Sequence, residues 1–327
     1  MAEFRSLRPW FAAAFLASLA LMPAIAWLTE SPYYVTLFSR IMIYGLAAVG
    51  LNVILGVGGL VSFGHALYIG IGAYAVGILS FHGITSGFVH FSTALVCGAA
   101  VAILIGLVCL RTSGMGFIMI TLAFAQMFYF LAVSLKQYGG DDGMSIGSRS
   151  QFGILNLNNG SVLYYVIFIL LVVMLYGSHR LIHSRFGTVL RGCKSNERRM
   201  SALGFPTLRY KLTAYVISAL VCVVAGLLLA NLTRYTSPAY MEWMVSGDLI
   251  VMIVLGGMQT VLGPVIGSAV LTIIGDILSG LQLGLPWDLD AFVSDHWLAL
   301  LGIFIVLVVI TLKQGLYGSL IPSENRT

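Results

Sequence analysis

Charge is what this chain has least of: 17 Lys and Arg and 12 Asp and Glu among 327 residues, 9% in all, where soluble globular domains carry roughly 25%. Water is therefore not the solvent for most of its surface, and there is no room for a large soluble domain. Cysteine is scarce too. Cys97, Cys109 and Cys222 fall in apolar runs and Cys193 in a basic loop, so neither a CxxC metal pattern nor a disulfide framework is present, and the four read as small packing residues. No GxxxxGK[ST] occurs, which excludes a P-loop ATPase within this polypeptide. The string Gly70-Ile71-Gly72-Ala73-Tyr74-Ala75 fits a loose GxGxxA pattern, but it lacks the strand, βαβ unit and acidic ribose partner that a dinucleotide site requires. No acid–base pair or nucleophile constellation is visible, so the reading is not an enzyme, with no cofactor and no metal held by this chain. The net charge of +5 does not point to nucleic acid, because the basic residues sit in short segments between apolar runs.

What is present is apolar: 59% hydrophobic residues and a mean hydropathy of +0.98. Runs bounded by charges, Pro, Gly and polar clusters predict an all-α, polytopic transmembrane bundle, residues 1–327 forming one transmembrane domain of about ten spans. They lie near Trp10 to Leu28, Leu37 to Leu55, Ala66 to Phe81, Ser92 to Leu110, Gly114 to Leu135, Val162 to Gly177, Leu212 to Ala230, Asp248 to Met258, Gly263 to Leu278 and Trp297 to Leu312. The eighth is too short to cross without its flanks. Arg5 and Arg8 precede the first run and Ala24-Ile25-Ala26 resembles a signal-peptidase site; a retained first span is the preferred reading.

With a cytoplasmic amino terminus, 13 of the 17 basic residues fall inside, and only Arg40, Lys136, Arg149 and Arg234 lie at or beyond the outer side. The positive-inside rule then favours an even number of spans with both termini cytoplasmic. Glu30, Asp141, Asp142, Glu242, Asp248, Asp288, Asp290 and Asp295 fall outside, in polar loops able to receive a soluble partner. Asp276 is the one acid placed within a span; it stands near the outer end, where escape to the interface is preferred to ion coupling. The sequons at Asn159 and Asn231 are read as chance.

Two segments carry more than topology. In GLNVILGVGGLVSFGHALYIGIGAYA, Gly50 to Ala75, an apolar span meets Gly56, Gly58 and Gly59 and resumes after Gly64 and His65. Broken backbone within a bilayer is tolerated only inside protein or along a water-filled cavity. Asn52, Gly58, Gly59, Ser62, Gly64 and His65 are therefore candidates for a pathway or gate; the alternative is a plain turn with His65 at the interface. Leu255 to Val270 repeats the Gly-punctuated style, and its Gly263 and Gly267 form a GxxxG that reads as packing. Thr121, Gln126 and Gln259 are further intramembrane polar residues; Gln126 joins the pathway candidates, although such side chains also serve helix–helix hydrogen bonds.

The second segment, 178–211, holds eight of the 17 basic residues. Ser195 at the start, Glu197 in the first turn, and Gly204 followed by Pro206 predict a short helix with Asn196, Met200 and Leu203 on one face. Such a helix at a membrane surface suits a cytoplasmic partner that grips and pushes it; the alternative is an incidental interfacial helix in a positive-inside loop.

These segments resemble the permeases of branched-chain amino acid ABC importers, the LivM type. The resemblance rests on Gly50 to Ala75, on RFGTVLRGCKSNERRMSALGFPTLRYKLTAYVISA from Arg185 to Ala219, on VLGGMQTVLGPVIGSAV from Val254 to Val270, on KQGLYG from Lys313 to Gly318, and on the outer GGDDGMSI from Gly139 to Ile146. It implies an importer subunit of the bacterial inner membrane. Its partners would be a second homologous permease, two cytoplasmic ABC ATPases that use the ATP, a periplasmic substrate-binding protein and the lipid bilayer. The coupling helix would comprise Asn196, Glu197, Arg198, Met200, Ala202, Leu203 and Gly204. Where the family reads like E-N-E-x-A-A-x-x-L-G, this chain has Ser195 for the first acid and Arg198, Arg199 and Met200 where smaller residues occur. Similar permeases serve urea, short amides and aromatic acids. An ion-driven transporter should show buried charged pairs and a channel a ring of charges or carbonyls; neither is evident in the sequence.

Overall fold

The computed structural model describes residues 2–28, 30–153, 157–258, 260–280, 296–312 and 315–319. Gln259, Lys313, Arg326, Asp288, Asp290 and Asp295 lie outside them, as do the side chains of Arg5 and Arg8.

Each of the ten apolar runs forms a helix. In chain order these are α1 (Ala2–Leu28), α2 (Pro32–Asn52), α3 (His65–Phe81), α4 (Gly87–Cys109), α5 (Met115–Ser134), α6 (Gly160–Ile182), α8 (Thr207–Thr233), α9 (Trp243–Gly256), α10 (Gly263–Gly280) and α11 (Trp297–Thr311), with the basic helix α7 (Arg185–Ala202) between α6 and α8 and a single turn, α12 (Leu316–Ser319), after α11. Among the described residues, seven helical segments are long and apolar enough to cross a membrane. The bundle is all-α and polytopic; α3 and α9 have 17 and 14 residues, short of the ~20 a full crossing takes. The eighth predicted span starts earlier than expected, at Trp243, because the 3-10 turn Pro238–Met241 precedes it directly.

Helix α8 is the axis of the bundle and packs against α2, α3 and α4. Small residues set that spacing. Side chains at Gly72 or Gly226 would collide with the carbonyls of Val223 and Ile69 respectively, so the α3–α8 backbones come closer than any Cβ allows. The glycines of the GxGxxA string thus serve packing, Gly72 against α8 and Gly70 against Met241. The GxxxG of α10 acts likewise: a side chain at Gly267 would strike the carbonyl of Met252 on α9.

The connections gather at two ends of the bundle. At one end, β1 (Met144–Ser145), within the Gly139–Ile146 segment, pairs antiparallel with β2 (Tyr235–Thr236). Arg149 there donates to the carbonyls of Asn231, Leu157 and Asn158 at 2.9, 2.8 and 3.2 Å. Asn231 gives its side-chain oxygen to the Ser150 amide (2.8 Å), and Asn159 caps α6 by accepting from Ser161 N (3.1 Å). Both sequon asparagines therefore have structural roles. Asp276, half-buried, accepts from the exposed Tyr33 hydroxyl at the start of α2, in keeping with a carboxylate that reaches the interface. The other end carries the basic segments.

Candidate functional site

At the basic end the first glycine cluster breaks the chain as the sequence anticipates. Helix α2 widens into a π turn, Val53–Val57, after which Leu60 N reaches back across it to the carbonyl of Ile54 (2.9 Å). Gly59 then takes φ +70, open to glycine at little cost. From there the chain runs back into the bundle: His65, first residue of α3, lies beside Ser218, about 16 Å along α8 from its start at 1.5 Å per residue. Helix α3 thus begins inside the protein.

A helix start buried in this way leaves amide donors in need of partners, and hydroxyls from three places supply them. Phe63 N donates to Thr121 Oγ1 on α5 (3.3 Å), Gly64 N to Ser62 Oγ (3.2 Å) and Ala66 N to Ser246 Oγ on α9 (2.9 Å). His65 is fully buried, not interfacial. Ser218 Oγ donates to the Gly50 carbonyl (2.7 Å), so it accepts from His65 Nε2 (3.0 Å) while Nδ1 accepts from Ser62 Oγ (2.9 Å). This bonding pattern describes a neutral imidazole with its proton on Nε2. Tyr68 and Tyr215 stand edge-on to the ring at 5.6 and 5.5 Å and bond to each other (3.0 Å).

The break also touches its later counterpart. Asn52, buried at the end of α2, donates through Nδ2 to the Thr260 carbonyl (2.8 Å); its Oδ1 is buried without a hydrogen-bond partner. Thr260 Oγ1 donates to the Gly257 carbonyl (2.7 Å) and accepts from Gly263 N (3.1 Å), and Gly315 (φ +74) packs on Gly257. Of the pathway candidates, Asn52, Gly58, Gly59, Ser62, Gly64 and His65 therefore share one site. Ser62 and His65 spend their polar atoms bracing it. Gln126 stands apart, on α5 about 7.5 Å beyond Thr121, with a buried Nε2 that meets no hydrogen-bond acceptor.

The basic loop contains more helix than the sequence analysis assigned. Its first part, beginning at Arg185, is capped by Ser184, which accepts from Gly187 N (3.3 Å). Val189, Leu190 and Cys193 on it are buried, and with Phe186 they keep a spacing of three and four residues that would have disclosed it. Asn196 (φ −157, ψ 100) interrupts α7 and starts the short helix. This corrects the assignment of Ser195 as its cap: the Asn196 side-chain oxygen accepts from Arg199 N (3.0 Å), because Asn196 is the residue with extended backbone. The predicted stop is present. Gly204 (φ +87) donates to Ser201 and Phe205 N to Met200, the paired bonds of a Schellman ending.

Glu197, Arg198, Ala202, Leu203 and Gly204 are exposed, Leu203 at 64%, and Met200 is partly covered. A side chain at Gly192 would meet Met200 Sδ at 2.7 Å, so Met200 folds back over the first part of α7 while Leu203 faces outward. Two ties hold the element down. Glu197 pairs with Lys211 of α8 (2.5 Å), and Lys194 Nζ donates to the Gly56 carbonyl in the π turn (2.9 Å). Burial pushes the Cys193 thiol above its ordinary value, with Lys211 opposing the rise and Glu197 adding to it. Among the described residues no group of His, Cys, Asp and Glu is placed to hold a metal ion.

The partners of the break, Thr121, Ser218, Ser246 and Lys194, went largely unremarked in the sequence. They join positions 58, 153, 180 and 138 residues apart, which no local pattern links.

Comparison with known proteins places the chain as a whole. The chain is 28% identical over 92% of its length to the high-affinity branched-chain amino acid transport system permease protein LivM of Escherichia coli K12, 74% of which is covered. It is 26% identical over 90% of its length to the same-named protein of Salmonella typhimurium, 73% of which is covered. It is also 25% identical over 84% of its length to the LivH permease protein of E. coli K12, with 91% of that protein covered. No solved structure gives a significant match. A family profile described as the permease component of the branched-chain amino acid transport system matches residues 33–311, and the chain belongs to that family.

Proposed function

We propose that this chain is a membrane-spanning permease subunit of an ATP-driven importer in a bacterial inner membrane, carrying branched-chain amino acids. The observation that carries the reading is the exposed helix beginning at Asn196 at the basic end of a bundle of this family. It is short, firmly capped and anchored to α8 through Glu197 and Lys211, the form expected of an element that a soluble ATPase engages. Asn196, Glu197, Arg198, Met200, Ala202, Leu203 and Gly204 form the contact. The similarity to both LivM and LivH proteins supports pairing with a second, homologous permease, alongside two ATPases and a binding protein. Both termini are cytoplasmic in this reading.

The transport step is alternating access. ATP-driven closure of the ATPases moves the short helix and rocks this subunit against its partner. The brace of Ser62, His65 and Ser218 keeps the buried start of α3 intact during the movement, and Gln126, with an unspent donor, and Asn52, with an unspent acceptor, are the pathway candidates left with polar atoms for a passing solute. The reading is tested by uptake of leucine and of urea into proteoliposomes holding the chain with its partner permease, ATPases and binding protein. ATP-dependent leucine uptake is expected. Uptake of urea alone reassigns the substrate, and uptake indifferent to ATP overturns the importer reading.

A further inference from the structure

Lys194 is assigned nothing by the short-helix contact, yet its position is unusual. It stands two residues before the interruption at Asn196, and Glu197 stands one residue after it. The two side chains reach in different directions: Glu197 to Lys211 of α8, Lys194 to the Gly56 carbonyl. The aliphatic stem of Lys194 lies over Gly59, where a Cβ would sit 2.7 Å from Cγ, so glycine there is what lets the lysine reach the π turn.

The acceptor matters as much as the donor. A π turn is a marginal, one-turn departure from the α ladder that recurs at functional sites, and its widened geometry changes which amides and carbonyls pair. Just past the π turn, Gly59 N bonds to Leu55 O across the ordinary four residues (3.2 Å) while Leu60 N reaches Ile54 O across six (2.9 Å), so α and wider pairing stand side by side where the turn ends. One residue before the π turn, Asn52 ties α2 to Thr260, whose hydroxyl closes the second break. Hydrogen bonds therefore run from the interrupted helix through the first break to the second. Lysine suits such a link, because a flexible stem with three donors keeps its bond as the acceptor shifts.

Building on the permease reading above, we propose that Lys194 is a positioning residue that transmits movement of the short helix to the Val53–Val57 π turn, switching it between π and α pairing and so opening the linked breaks. The two-state element that coupling requires is the π turn itself.

The test uses the whole reconstituted complex with Lys194→Met and Lys194→Arg. Leucine moved per ATP hydrolysed is expected to fall about tenfold in Lys194→Met with ATP hydrolysis near that of the wild type, and to stay within about threefold in Lys194→Arg. Hydrogen exchange across residues 53–64 should change between the ATP-free and vanadate-trapped wild type. In Lys194→Met that change should vanish while the change across residues 185–204 persists. Transport per ATP in Lys194→Met within about twofold of the wild type overturns the proposal, as does a change at 53–64 that survives the substitution. Should Lys194→Met fail to assemble, the wild-type exchange decides alone: no change at 53–64 on trapping refutes the link. Wild-type uptake indifferent to ATP would instead strike the permease reading.

Discussion

The two ends of the bundle are built differently. Opposite the basic segments, loops are laced to one another by main chain: β1 pairs with β2, Ile146 N bonds to Arg234 O (2.8 Å), and residues 85, 87 and 151 exchange amide bonds at 2.7 and 2.8 Å. Arg149 gathers three carbonyls on top of this, and buried His90 joins Ser150 (2.7 Å) to the Ile84 carbonyl (2.8 Å). At the basic end, α7 is held by side chains alone: Lys194 to Gly56, Glu197 to Lys211, Arg191 to the Ile182 carbonyl (3.2 Å), Phe186 against Tyr210, and the buried Val189, Leu190 and Cys193 of its first part; past Asn196 only the Glu197 ion pair ties the short helix to α8. Densely bonded regions open last and sparsely bonded, exposed ones first. The difference locates movement at the basic end and rigidity at the other.

Both ends hang on the α3–α8 contact, and breaking it should abolish the distinction. Gly226→Val puts a branched side chain where the Ile69 carbonyl already stands; a loss of at least about 3 kcal/mol is expected, seen as absence of folded protein in detergent extracts. Arg149→Ala attacks only the laced end. With three carbonyls losing their donor, it should cost about 2 kcal/mol, lowering the melting temperature of the purified protein while leaving uptake per folded complex unchanged. Gln126→Leu reverses that pattern. Since its amide has no protein partner, stability should hold within about 0.5 kcal/mol or rise, whereas leucine uptake should fall. The mildest effect concerns Cys193. Its raised pKa means less thiolate, the reactive form, than a free thiol has at neutral pH, so labelling by a water-soluble maleimide should be slow near pH 7 and accelerate as pH climbs past the ordinary thiol range. Glu197→Gln removes one cause of the rise and should quicken labelling at a given pH.

The ten helices were legible because each carries an apolar run, although the eighth run was too short to show that α9 starts at Trp243, and the first break was legible because Gly56, Gly58, Gly59 and Gly64 interrupt one. The stop at Gly204 was legible for the same local reason. The first part of α7 was hidden by its charges, although Phe186, Val189, Leu190 and Cys193 keep helical spacing. Ser195 and Asn196 are both acceptable caps, and only the backbone at Asn196 decides between them. What surrounds His65 was not legible at all: Ser218, Ser246 and Tyr215 come from helices whose packing is set by glycines on α3 and α8. A histidine just after a glycine does not announce that it will lie fully buried between two serines.

The contrast between the ends is tested most directly by locking each in turn. In the reconstituted complex, one variant carries Ser145→Cys with Tyr235→Cys, facing positions of β1 and β2; another carries Glu197→Cys with Lys211→Cys, in place of the ion pair. ATP-driven leucine uptake is measured before and after oxidative cross-linking. The account predicts that the first lock is tolerated, whereas the second stops uptake until a reductant releases it. Uptake that survives the second lock and fails with the first would contradict it.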